Sequence, residues 1–163
     1  MNKWLWFQAA SFQVIWLSAV LGGNQWIALS IVILCTHFVF TPSRADDLKV
    51  LPIAFIGIAI DAVFTTLGVF EFEQFPAWLI ILWLGFVLNF GHSLKVIHKI
   101  KLYWQIIIGA LGGCYAYIVS WKLGAVEFPL GGIMTACLLA VAWAISFPLF
   151  MRADRYLRAF RHE

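Results

Sequence analysis

The polar residues best equipped for chemistry in this chain lie inside apolar runs, where each one needs a reason. Asp61 stands between Ile60 and Ala62, near the middle of a long hydrophobic segment. A carboxylate at bilayer mid-depth costs about 2.5–3.5 kcal/mol on insertion scales, so such acids mark proton or ion pathways, acid–base work or a specific bond to another helix. Gly57, Asp61, Thr65 and Gly68 recur at helical spacing along one face. Small and polar side chains there suit packing on other helices. Proton carrier, ion ligand, general acid or base, and plain interhelical hydrogen bond all stay open for Asp61.

A second group is Asn89, His92 and Ser93, in the run Asn89-Phe90-Gly91-His92-Ser93-Leu94. An imidazole there could be a general base, a metal ligand or a haem ligand, or it could simply hydrogen-bond headgroups or the next helix. His37 ends another apolar run, so a His37–His92 pair could in principle ligate haem b, although no spacing motif supports it. His98 lies among lysines and reads as solvated. Gln8 and Gln13 fall in the first apolar run, with Gln13 on a face shared by Ala9 and Trp16. Buried amides of this kind bond between helices for roughly 0.6–2 kcal/mol. Depth alone groups Gln13, Trp16, Asp61, Asn89, His92 and Ser93 as the candidate lining of one polar cleft, with Asp61, Asn89 and His92 the candidates for catalysis. No metal site and no cofactor is read from these spacings.

The elements that must position these residues are membrane helices. Of 163 residues, 63% are hydrophobic and 12% charged, against roughly 45–50% and about 25% in a soluble domain. A crossing helix needs about 20 mostly apolar residues, and about 17 at the short end. Six runs meet or approach that length, at about 4–21, 26–40, 50–70, 76–94, 103–121 and 130–151, forming a single all-α polytopic domain. The first run lacks a small-x-small cleavage site and reads as the first span rather than a removable leader. The fifth carries Gly109, Gly112, Gly113, Ala116 and Ser120, small residues that permit close helix contact. Cys35, Cys114 and Cys137 form no Cys-x-x-Cys pair and read as apolar fillers.

Six spans with a cytoplasmic N-terminus place every Lys and Arg except Lys122 on the cytoplasmic side, out of 11 in the chain. Such a bias sets orientation, so both termini are predicted to be cytoplasmic, as in a bacterial inner-membrane protein. Trp4, Trp6, Trp26, Trp78, Trp104 and Trp121 fall near span ends, where indoles prefer the headgroup layer. In the C-terminal segment 152–163, Arg152, Arg155, Arg158 and Arg161 take one side of a helix, while Ala153, Tyr156, Leu157 and Phe160 take the other. This tail is predicted to lie on the inner surface with its arginines on anionic headgroups. The partners expected are thus the bilayer and another membrane protein. Nucleophile-elbow, zinc-helix and P-loop signatures are absent from the sequence, as is any nucleic-acid module.

Several ordered motifs resemble one family. They are Phe12-Gln13-x-x-Trp16 leading to Gly22-Gly23, Asp61 followed by Gly68-Val69-Phe70, Trp83 with Asn89-x-x-His92-Ser93-Leu94, and Lys122-Leu123-Gly124-Ala125-Val126-Glu127-Phe128. Together they resemble the bacterial multi-pass membrane proteins grouped as domain-of-unknown-function family 2878, over nearly the whole chain. Gly91 before the histidine departs from the family's usual pattern. The resemblance implies a fold and a membrane location, and a role near fatty-acid modification or membrane stress. Three readings follow: an accessory protein or subunit of a lipid-related system, an intramembrane lipid-modifying enzyme using Asp61, Asn89 and His92, and a small proton-coupled transporter with Asp61 as coupling site.

Overall fold

A computed structural model describes residues 3–74 and 76–159. Seven α-helices follow in order: α1 (Lys3–Gly22), α2 (Ile27–Phe40), α3 (Arg44–Val50), α4 (Pro52–Thr66), α5 (Ala77–Leu88), α6 (Leu102–Lys122) and α7 (Gly132–Ala159). Short 3₁₀ turns at Gly23–Trp26, Asn89–Gly91 and Lys95–Lys99 link them. No strand occurs among the described residues. The stretches Lys3–Phe40, Arg44–Thr66, Leu102–Lys122 and Gly132–Ala159 are each long and apolar enough to cross a membrane, and Ala77–Gly91 is a shorter apolar helix. The molecule is therefore a helical membrane protein.

Hydrogen bonds show that the first stretch is a hairpin. Ser18 and Ser30 meet at 2.7 Å near the turn, and Gln8 reaches His37 at 2.8 Å near the open end. Such antiparallel pairing fits two helices, α1 and α2, better than one long rod. The chain leaves α2 at Thr41, which is extended (φ −63°, ψ 135°). Pro42 enforces this, because proline disfavours helix at the residue before it. α3 and α4 then run nearly end to end, with Pro52 opening α4 where its missing N–H costs least.

Lys3, Arg44, Lys49, Lys95, Lys99 and Lys101 border one end of the bundle, here called the basic end. At the opposite end, α4 and α6 finish with the same glycine cap. Gly68 and Gly124 adopt positive φ (72° and 79°), and the bonds Val69 N to Phe64 O and Ala125 N to Ser120 O each measure 2.9 Å. A left-handed cap of this type satisfies the last helical carbonyls, and glycine adopts it without a Cβ clash. The loops that follow join through an isolated two-way bridge between Glu71 and Glu127 (3.1 and 2.8 Å). Phe70 stacks on Tyr117 and on Phe128 beneath it, at 5.0 and 5.9 Å.

Two subassemblies result. α5 packs against α1, α2 and α4, while α6 packs chiefly on α7, and α7 joins this pair to the rest through α3 and α4. The α6–α7 contact depends on glycine. A Cβ on Gly109 would stand 2.6 Å from both Phe147 Cβ and the Trp143 carbonyl, and one on Gly113 would stand 2.1 Å from the Trp143 ring. Gly112 has nothing within 4 Å and faces open space. Residues 152–159, expected as a surface tail, continue α7 without a break. Asp154 is buried and Arg158 turns inward, while Phe160 and Arg161 lie outside the described residues. Gly109→Ala is expected to destabilise the protein by about 1–3 kcal/mol through overpacking, whereas Gly112→Ala is expected to be neutral or to gain about 0.5–1 kcal/mol from helix propensity. Unfolding titrations in mixed detergent micelles check both.

Candidate functional site

Four parts of the chain converge on Asp47 at the basic end. The Thr41-Pro42-Ser43 turn brings two hydroxyls to the first turn of α3, where Asp47 is completely buried. Its Oδ2 accepts from Thr41 Oγ1 at 2.5 Å and Ser43 Oγ at 3.1 Å, and lies 3.3 Å from His37 Nε2. Its Oδ1 accepts from Arg158 Nη1 at 2.9 Å. His92 Nε2 lies 3.0 and 3.1 Å from the two oxygens. A buried carboxylate is tolerated only when it is paired and hydrogen-bonded; Thr41, Ser43, His92 and Arg158 donate to it here, and His37 closes the same pocket.

The outer contacts set proton positions. Trp4 Nε1 donates to His92 Nδ1 at 3.1 Å. An indole nitrogen only donates, so Nδ1 accepts and the proton of the neutral ring sits on Nε2, towards Asp47. On the far side, Arg158 Nε donates to Asp154 Oδ1 at 2.8 Å, and Asp154 Oδ2 lies 2.9 Å from His98 Nε2. Arg155 donates to the His98 carbonyl. Gly91 gives Arg158 its place, because a Cβ there would lie 2.2 Å from the guanidinium carbon. His98 is thus half-buried in this network rather than solvated among lysines.

Asp61 belongs to a different assembly. Trp83 Nε1 donates to one of its oxygens and Tyr117 OH to the other, both at 2.6 Å. Trp83 also lies parallel to Trp143, with ring centroids 5.6 Å apart and planes 4° apart. Asp61 therefore fixes two aromatic side chains from α5 and α6. Those side chains wall a groove of about 350 Å³ running between α1 and α5 on one side and α6 and α7 on the other. Phe12, Gln13 and Trp16 of α1, Leu82 and Phe86 of α5, and Gly112 of α6 complete much of its surface. The α6 residues that line it run from Ile108 to Ser120, about 18 Å at 1.5 Å per residue. No Asp, Glu, Lys, Arg or His is among its described lining residues.

The candidate residues of the sequence thus fall into separate places. Gln13 and Trp16 line the groove, and Asp61 lies behind its wall. Asn89 donates to the Gly85 carbonyl and accepts from Ser93, a local arrangement at the end of α5. His92 and His37 come together, with ring centroids 5.4 Å apart, but around Asp47, which leaves no room for a haem between them. Sequence reasoning missed Asp47, Asp154, Tyr117 and Trp4 as members of these networks. The one available signal was Thr41-x-Ser43-x-x-x-Asp47, a cluster of side chains apt for local hydrogen bonds just after an apolar run.

The sequence profile of a family described as a protein of unknown function (DUF2878) matches residues 5–149. No curated protein matches, and no solved structure does. For the Asp47 network, Asp47→Ala and Arg158→Ala are each expected to cost about 3–5 kcal/mol, since either change strands a buried charge. The double variant is expected to cost less than their sum by roughly 1–3 kcal/mol. A double-mutant cycle on unfolding free energies measures the difference, and strict additivity would dissolve the pair.

Proposed function

This chain belongs to the DUF2878 family, and we propose that it holds the hydrocarbon chain of a lipid in its aromatic groove, as a non-catalytic partner in a lipid-related or membrane-stress system. The groove carries this reading. Its volume falls within the roughly 300–1,000 Å³ of small-molecule sites, and its lining is almost wholly apolar and aromatic. It runs along the membrane-crossing part of α6, so a bilayer would present hydrocarbon to it. Gln13, Tyr115 and Ser120 are among the few polar side chains of the lining that could orient a ligand.

In this reading the chain crosses a bacterial inner membrane six times, as α1, α2, α3–α4, α5, α6 and α7, with both ends in the cytoplasm. Lys3, Arg44, Lys49, Lys95, Lys99, Lys101, Arg152 and Arg155 at one end support that orientation. An enzyme built on Asp61, Asn89 and His92 has less support, because those side chains belong to three separate hydrogen-bond networks. A carrier coupled through Asp61 is disfavoured by the two aromatic donors that already occupy both its oxygens.

Gly112→Leu tests the proposal, since a Cβ there has open space around it and the side chain would enter the groove. Native mass spectrometry of protein released from mild detergent should find a lipid retained on the wild type. Retention should fall about tenfold in Gly112→Leu, equivalent to ~1.4 kcal/mol. It should stay unchanged in Ile133→Leu, at a side chain 86% exposed elsewhere on the bundle. Equal retention by all three proteins, or none by the wild type, would defeat the reading.

A further inference from the structure

We propose that His37, Asp47 and His92 form a binding site for one divalent transition-metal cation of the zinc class. One ring nitrogen from each histidine and a carboxylate oxygen lie within 4.8 Å of one another, all three residues buried. His37 Nε2 is 3.3 Å and His92 Nε2 3.1 Å from the same oxygen, Asp47 Oδ2. Tetrahedral zinc with bonds near 2.0–2.1 Å separates its ligands by about 3.3 Å, which both nitrogen-to-oxygen distances match. Two imidazoles and one carboxylate suit zinc, and also iron(II) in a three-residue facial arrangement.

Two further observations ask for a cation at this point. Gln8 Oε1 accepts from His37 Nδ1 at 2.8 Å, so the neutral ring presents a bare Nε2 to the carboxylate. Two acceptors then face each other at 3.3 Å in a buried site, and a positive centre between them removes the conflict. A metal-bound histidine commonly donates its second ring nitrogen to an oxygen in this way. The second observation is charge. The buried network holds the carboxylates of Asp47 and Asp154 against the single guanidinium of Arg158, with histidine rings as their other ionisable partners.

Trp4 opposes the ion. Metal on His92 Nε2 moves the ring proton to Nδ1, where it would face the Trp4 N–H. Trp4 sits in the first turn of α1 and is only partly buried, so its indole must turn aside when the ion enters.

The test is zinc binding by the full chain in detergent, measured by competition with a chromogenic chelator and by elemental analysis after gel filtration. The wild type should bind one zinc per chain and its unfolding temperature should rise with added zinc. His37→Gln should weaken binding by at least about 100-fold, and Trp4→Phe, which removes the opposing donor, should tighten it by roughly tenfold. Iron(II) titrated in the absence of oxygen distinguishes the two metals. Absence of stoichiometric metal and of any thermal shift in the wild type would overturn the proposal, leaving a proton between His37 and Asp47 or the Gln8 amide turned over. Zinc bound equally by His37→Gln would also overturn it, because the ion would then lie elsewhere.

Discussion

Burying the Asp47 carboxylate is the constraint around which the basic end is built. Such a group is stable in a protein interior only with a full set of donors, and no single helix could supply them. The Thr41-Pro42-Ser43 turn gives two hydroxyls, the segment after α5 gives His92 and α7 gives Arg158, while α2 brings His37 against the same carboxylate. α7 has 28 residues, more than the about 20 that a crossing requires. Its last two turns carry Asp154 and Arg158, which bind it to α3 and to the loop before α6. The α6–α7 hairpin is thereby fastened at one end, and the Glu71–Glu127 bridge with the Phe70 stack fastens it at the other.

Between those fastenings the two subassemblies do not close. Trp83 is fixed by Asp61 and stacked on Trp143, and Tyr117 is fixed by the other Asp61 oxygen. Aromatic side chains held in this way cannot swing inward to fill the space, so a groove persists beside a well-packed core. Glycine sets its shape from the other side. Gly109 and Gly113 let α6 lie directly on α7, and Gly112, on the flank beside them with nothing within 4 Å, leaves the groove wide. Asp61 accordingly acts as a positioning residue for the walls, and the depth that made it conspicuous is the depth of the groove.

How much was legible in the sequence depended on the range of the interactions. Apolar run length and the distribution of lysine and arginine announced a helical membrane protein, because those properties are local. Asp61 stood out because a lone carboxylate in an apolar run has one environment to explain. Asp47 did not, since between Arg44 and Lys49 it reads as an ordinary charge at a membrane face. Its partners lie at positions 37, 92 and 158, and only the fold brings them together. Arg158 was hidden for a related reason. Its three-residue spacing with the other arginines suggests a solvated stripe, but Asp154, one turn earlier, rotates it inward as a pair. The polar cleft inferred from depth grouped residues by height in the membrane, and height carries no information about which helix faces which.

The central claim is that a hydrocarbon chain occupies the aromatic groove. Photo-crosslinking with a diazirine-bearing fatty acid in bilayers, mapped by peptide mass spectrometry, addresses it most directly. The account predicts adducts concentrated on Phe12–Trp16 and on Ile108–Ala116, well above those at Val39 and Ile133, which are 64% and 86% exposed away from the groove. Labelling spread over all lipid-facing residues in proportion to their exposure would contradict it.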